Sequence, residues 1–284
     1  MWVLRVQWAL LPLAVGSVLA AALDDRSHPV RTTASVMAWA GWAVVAVALL
    51  VPRTVSLTVV RVGAPGAVGV AAWAALDGGS AAVAGQAAIG LALAIGSFAL
   101  VVAPGVVDVF VNGSAYGTER RFALRCPPAL AILAVVTWAV VAAGALAGPL
   151  LLAAELWIAG AVALVVGGAA AVAGARSLHG LARRWLVFVP SGLVIHDPVG
   201  RPDAVMAPRP LIVGLAPAPV GSSALDLTLG APGLSLELRT SETLPVTVRR
   251  RRDLATEPAS ALLVSPTRAA AVLAEAAARR IPVA

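Results

Sequence analysis

Asp108, Asn112, Tyr116, Glu119, Arg120 and Arg121 crowd into one polar stretch, residues 108–125, between long apolar runs. Two adjacent guanidiniums can each grip phosphate or carboxylate oxygens in a bidentate fork. Tyr116, the one tyrosine of the chain, lies between Gly113 and Gly117, and Asn112-Gly113 is a tight-turn dipeptide. The stretch is therefore a candidate ligand- or partner-binding site. Without a ligand, the same residues read as a solvated loop whose arginines hold the orientation of the chain.

A second concentration of charge is the run Arg249, Arg250, Arg251 and Arg252. With Arg239 it makes the chain from residue 175 onward basic, 13 Arg against 8 acids. Beside a bilayer each such cation is worth about 1 kcal/mol of attraction to anionic lipid, so contact with anionic headgroups is expected; a solvated loop is the plain alternative. Aromatics are not interleaved with these arginines, so stacking on nucleic-acid bases has no support and no nucleic-acid partner is expected.

Catalytic chemistry is harder to place. The single cysteine, Cys126, precludes an intrachain disulfide and a multi-cysteine metal site. His28, His179 and His196 are too scattered to suggest a metal triad, and His196-Asp197 before Pro198 reads as a turn cap. No Ser–His–Asp set, carboxylate pair or phosphate loop converges on one place. The chain is read as not an enzyme, with no cofactor and no metal. Within the apolar runs, Gln86 reads as a helix-packing hydrogen bonder. Glu155, near the outer end of the sixth run, is either an interfacial residue or a proton or cation site, since ionisable groups at membrane depth are costly.

The elements that must carry these residues follow from the hydropathy. Sixty per cent of residues are hydrophobic, only 12% are charged, and the mean hydropathy is +0.92; soluble domains are about a quarter charged. Six runs approach the roughly 20 helical residues a bilayer requires: about 3–23, 33–51, 62–77, 81–103, 128–148 and 151–174. The third is short, with Pro65 in its first turn and Arg61 at the interface. The first reads as a retained helix and not a cleaved signal. Nine arginines fall on segments of one side, against Arg26 and Arg31 on the other, so the positive-inside rule puts both termini in the cytoplasm. Trp2, Trp8, Trp73 and Trp157 lie near run ends as interfacial anchors, while Trp39, Trp42 and Trp138 are expected between helices. The four-residue spacings Gly90/Ala94 and Ala163/Gly167 suit close helix packing.

After residue 175 the period changes to two. Residues 185–189 and 193–197 flank Pro190-Ser191-Gly192 as a hairpin, and strands are expected at 211–215, 224–229, 234–239 and 261–264. Ser265-Pro266 then reads as an N-cap and first helical residue, with a helix to about Arg280 whose apolar face is Val272, Leu273 and Ala276. The expected architecture is an α-helical transmembrane bundle of six spans, residues 1–175, with a small cytoplasmic α+β domain, residues 176–284.

Several strands, a polar insertion, a further strand and a closing helix over about 185–280 resemble a bacterial pleckstrin-homology-like domain. The whole layout, including residues 113–117 and Glu119-Arg120-Arg121 before the fifth span, resembles a family of uncharacterised integral membrane proteins of GC-rich Gram-positive bacteria; the absence of lysine fits such a genome. These resemblances imply a plasma-membrane location and no particular activity. The expected function is a non-enzymatic scaffold or accessory protein whose cytoplasmic domain docks on the membrane or on a cytoplasmic protein partner. The alternative is a small transporter or channel regulated by that domain, and a membrane-bound enzyme ranks third.

Overall fold

The computed structural model describes residues 1–77, 81–250 and 253–283. Six of its helices are long and apolar enough to cross a membrane: α1 (Trp2–Ala22), α2 (His28–Leu50), α3 (Thr54–Asp77), α4 (Ala81–Val102), α6 (Pro128–Ala153) and α7 (Trp157–Ala182). A short helix, α5 (Pro104–Asn112), follows α4. The chain divides into two compact units: residues 1–110 with 135–178, and residues 111–134 with 179–284.

In the helical unit, small residues set how closely backbones approach. A Cβ on Gly90 of α4 would lie 3.1 Å from the Ala14 carbonyl oxygen of α1, and Ala94 one turn later is fully buried. Contact between α6 and α7 is tighter still. A Cβ on Gly167 would fall 2.6 Å from the Gly144 Cα, and one on Gly148 would fall 2.7 Å from the Leu164 Cα. Such close contacts hold apolar helices together through dispersion.

The third helix corrects the expected short span. It begins at Thr54 and runs 24 residues, placing Arg61 and Pro65 inside the helix. Polar residues 54, 56 and 58 do not delay its start, because Thr58 Oγ1 donates to the Thr54 carbonyl at 3.2 Å and so bonds along the helix. Two tryptophans also depart from expectation. Trp8 is no interfacial anchor: it is buried, its indole donates to the Trp42 carbonyl at 3.0 Å, and the Trp42 indole donates back to the Trp8 carbonyl at 2.8 Å. Trp39, expected between helices, is exposed and packs edge-on against Trp42. Trp138 does join helices, donating to the Val62 carbonyl at 2.8 Å.

Among the described residues, the second unit holds two four-stranded sheets. The first has the order β1 (Arg120–Ala123), β2 (Trp185–Val189), β3 (Gly192–His196), β4 (Val205–Pro208), all antiparallel. The second comprises β5 (Ile212–Pro217), β7 (Leu236–Arg250), β8 (Asp253–Val264) and, parallel at the edge, the two-residue β6 (Leu225–Asp226). Helix α8 (Ala269–Ala278) closes the unit. One core joins them: Phe122, Phe188, Leu193, Ile195, Leu236, Leu238, Val264, Val272 and Ala276 are all buried within it.

The expected hairpin over 185–196 is present, with Gly192 at φ 151° where a Cβ would run into the Ala207 carbonyl. Three expectations are corrected. Residues 224–229 form a strand only at Leu225–Asp226, because Asp226 Oδ1 accepts from the Thr228 amide at 2.7 Å and Thr228 Oγ1 from the Gly230 amide at 3.2 Å, turning the chain out of the ladder. The strands at 234–239 and 261–264 belong to a hairpin much longer than either run. Ser265 does not cap α8, which begins at Ala269; its carbonyl instead accepts from the Arg125 amide at 2.8 Å.

The α6–α7 contact yields a direct test. Gly144→Val is expected to destabilise the protein by about 2 kcal/mol, as overpacking a tight contact does. Gly168→Val, where a Cβ meets nothing within 4 Å, should stay within about 0.5 kcal/mol of wild type. Unfolding of the two variants in detergent, side by side, measures the difference.

Candidate functional site

Helix α5 and strand β1 replace the loop expected over residues 108–125. Asp108 is buried within α5, and Asn112 is its last residue. The Asn112 side-chain amide mimics a strand neighbour for Arg121: its Nδ2 donates to the Arg121 carbonyl and its Oδ1 accepts from the Arg121 amide, both at 2.8 Å. Between them the chain turns tightly, with Gly117 at φ 57°, the Glu119 amide donating to the Tyr116 carbonyl, and the Tyr116 amide donating to Glu119 Oε2 at 3.1 Å. Tyr116 itself is 89% exposed.

Arg121 is consumed by this turn. Its Nε and Nη2 meet the Glu119 carboxylate at 2.9 and 3.1 Å, its Nη1 donates to Ser114 Oγ at 3.0 Å, and its guanidinium lies 5.1 Å from the Trp185 ring centroid. Hydrogen bonds from Arg121 hold the Glu119 carboxyl below its ordinary pKa, outweighing partial burial. Arg120 lies over Phe122 at 5.3 Å. Of the six residues expected to act together, the structure thus brings Asn112, Tyr116, Glu119 and Arg121 into one hydrogen-bonded turn. Their polar groups bond chiefly to one another, which makes the turn a device for presenting β1.

β1 leads to the most charged interior point of the unit. Arg184 and Asp197, each side chain no more than 2% exposed, form a bidentate pair, with Nε–Oδ1 and Nη2–Oδ2 both 2.8 Å. The remaining Arg184 nitrogen, Nη1, donates to the Arg125 carbonyl at 3.0 Å. Asp197 Oδ1 also accepts from the Val199 and Gly200 amides at 3.2 Å. Burial alone would raise the Asp197 carboxyl; the hydrogen bonds and charge of Arg184 outweigh it and hold the pKa below the ordinary carboxylate value. The turn-cap reading of Asp197 therefore holds but is incomplete, since its partner Arg184 was not anticipated. A bidentate Arg–carboxylate pair across 13 residues has no period that a sequence can reveal.

Nearby, His196 stacks on Trp185 with centroids 5.3 Å apart. Burial, then the charge of Arg183, lowers its pKa, so the ring is neutral at physiological pH. Arg201, only 4% exposed, completes the group.

In the helical unit Glu155 lies outside the helices, exposed at the α6–α7 turn with φ 63°. Gln86 donates to the Leu13 carbonyl at 3.2 Å, as a packing residue would. Sequence reading passed over Gln7, whose side-chain oxygen is buried and whose amide lies 3.4 Å from a Cβ built on Gly96; Ser97 beside it is fully buried. The signal for Gln7 was simply a polar residue within the first apolar run. Arg249 and Arg250 end β7, while Arg251 and Arg252 lie outside the described residues. Cys126 is exposed, and among the described residues no group of three or more His, Cys, Asp or Glu is placed to hold a metal ion. Comparison of the chain with protein-family models, curated proteins and solved structures finds no match.

Asp197→Asn leaves the Arg184 charge buried without its counter-ion and is expected to cost about 3–5 kcal/mol. Because the folded pKa is depressed, the stabilisation is complete above the unfolded value of about 3.9 and is lost as pH falls through the folded pKa. Denaturant titration followed by tryptophan fluorescence should show wild type losing stability below about pH 4, with a smaller acid loss in the variant.

Proposed function

We propose that the chain is a multi-pass protein of a bacterial plasma membrane, with α1–α4, α6 and α7 as its six spans and both termini cytoplasmic. Its sheet unit is a PH-like cytoplasmic domain, and its role is that of a non-enzymatic scaffold or accessory protein docking on anionic lipid headgroups or on a cytoplasmic protein partner. The observation that carries this reading is the pairing of β1 with β2. It supports placing the α5–α6 connection and the chain after α7 on one side, with α6 and α7 as the two crossings between them. Outward-facing Val135, Val136, Val140, Val162, Val165 and Val166 suit hydrocarbon, since an exposed apolar expanse of this kind is foreign to a soluble monomer.

A domain tethered at two points of the chain is held at the bilayer surface, where the run Arg249 to Arg252 and the exposed Tyr116 are its candidate contacts. The alternative, a small transporter or channel regulated by this domain, has Gln7 and Ser97 in its favour. The exposure of Glu155 removes its best ionisable residue.

Cys126 gives a test without any mutation. A membrane-impermeant maleimide should label it in inverted vesicles and leave it unlabelled in intact spheroplasts; the reverse pattern overturns the orientation. For docking, hydrogen exchange on the full chain in phosphatidylglycerol against phosphatidylcholine nanodiscs should show anionic-selective protection within residues 236–264. Loss of that protection when Arg249, Arg250, Arg251 and Arg252 are changed to Gln assigns it to the run. Equal exchange in both lipids overturns lipid docking in favour of a protein partner.

A further inference from the structure

Two buried guanidiniums share one carboxylate in the turn that follows β3. Asp197 is saturated: Oδ1 accepts from Arg184 Nε and the amides of Val199 and Gly200, and Oδ2 accepts from Arg184 Nη2. Each nitrogen of Arg184 is bonded as well, Nη1 donating to the Arg125 carbonyl. Arg201 is different. It is 96% buried by its 4% exposure, and none of Nε, Nη1 and Nη2 meets an acceptor among the described residues. Its backbone is fixed, with the amide donating to the Asp197 carbonyl at 2.9 Å, so the side chain starts from a defined point beside the ion pair.

An arginine does not escape this situation by losing its proton, because its guanidinium stays charged throughout the physiological range. Water could supply acceptors but no charge, and of the neighbouring charges Asp197 favours the Arg201 cation while Arg184, already paired to that carboxylate, opposes it. What balances the group is an oxyanion, and the planar fork of Arg201 matches phosphate oxygens.

We propose that Arg201 is the primary ligand of a phosphate-binding site built on the Arg184–Asp197 turn. The Arg184–Asp197 pair acts as its support: it fixes the turn while leaving the second positive charge for the ligand. A Cβ on Gly180, in the last turn of α7, would lie 3.8 Å from Val199 Cγ2, so the site stands beside the end of the last long apolar helix. If α7 is a span, that is the level of lipid headgroups; the lipid source, and only that source, rests on the membrane reading above. The other source of the same chemistry is a soluble phosphate or phosphomonoester. Access requires movement, because the guanidinium nitrogens are closed off. Leu229 packs on Gly200, within 3.0 Å of where its Cβ would stand, and holds φ 57°, a backbone region that branched side chains rarely occupy.

The test uses the full chain in phosphatidylcholine nanodiscs, with thermal unfolding followed in chloride, acetate and inorganic phosphate at matched ionic strength. Phosphate should raise the midpoint by about 3 °C or more over chloride and acetate in wild type, as binding to the folded state alone requires. Arg201→Gln should abolish the shift. In phosphatidylglycerol nanodiscs a lipid-filled site would give the higher midpoint already in chloride, with no further gain from phosphate; a site for soluble phosphate would respond as in phosphatidylcholine. Either pattern, if dependent on Arg201, supports the site. Absence of both shifts in wild type, or their persistence in Arg201→Gln, overturns it. Should the variant fail to fold, phosphorus NMR decides: the inorganic phosphate line must broaden with wild type and sharpen when sulfate competes, and an unbroadened line overturns the proposal. The orientation and docking experiments do not involve Arg201, so failure here leaves their outcome legible.

Discussion

Arg184 and Asp197 form the joint on which the sheet unit depends. Through Nη1 the pair reaches the Arg125 carbonyl, and the Leu124 amide donates to the Arg184 carbonyl at 3.1 Å. Arg125 in turn donates through its amide to Ser265 and through Nε to Pro266, while Thr267 reaches back to Ala123. Three stretches remote in sequence thus meet at one buried charge pair: the end of β1, the start of β2, and the chain between β8 and α8. A buried pair of this kind gains little over an apolar replacement, but losing one partner is severe. Its value here is geometric, since the fork fixes the Arg184 guanidinium and Nη1, the nitrogen outside the fork, then holds the Arg125 carbonyl just after β1.

The same joint explains how far the sequence could be read. Apolar run length depends on neighbouring residues alone, so six long helices were legible from hydropathy, with ends displaced by up to eight residues, at the start of α3 and the end of α7. The β2–β3 hairpin was legible for the same reason: its pattern and its Pro190-Ser191-Gly192 turn are local. Strand β1 was not, because Arg120–Ala123 offers four residues, two of them charged, and becomes a strand only by pairing with residues more than sixty positions later. Ser265-Pro266 misled for a related reason. Its local signal favours a cap, yet the tertiary pairing with Leu124 and Arg125 takes those residues first.

Of the candidate site residues, the cluster around Tyr116 was recognisable from its polarity, but its internal hydrogen bonding was not. Composition cannot tell an arginine that waits for a ligand from one already held by Glu119 and Ser114. The contrast with Arg201 is instructive, because in sequence it is an ordinary arginine between Gly200 and Pro202. Burial and the prior claim of Arg184 on Asp197 give it its character, and both are tertiary facts.

The helices carry a parallel lesson on polarity in apolar surroundings. Trp8 and Trp42 each place an indole N–H on the other's backbone carbonyl, so two polar groups are satisfied with no charged residue. Strand β1 has a consequence for how the protein is made. Residues 120–123 leave the ribosome before α6 and α7, while their partner strand follows both helices. The first sheet must stay open at its edge throughout synthesis of those two helices, and it closes only when the chain returns. The sheet unit is therefore not a module that evolution could append or remove at the C-terminus, since cutting it away would strand a fragment of it between two helices.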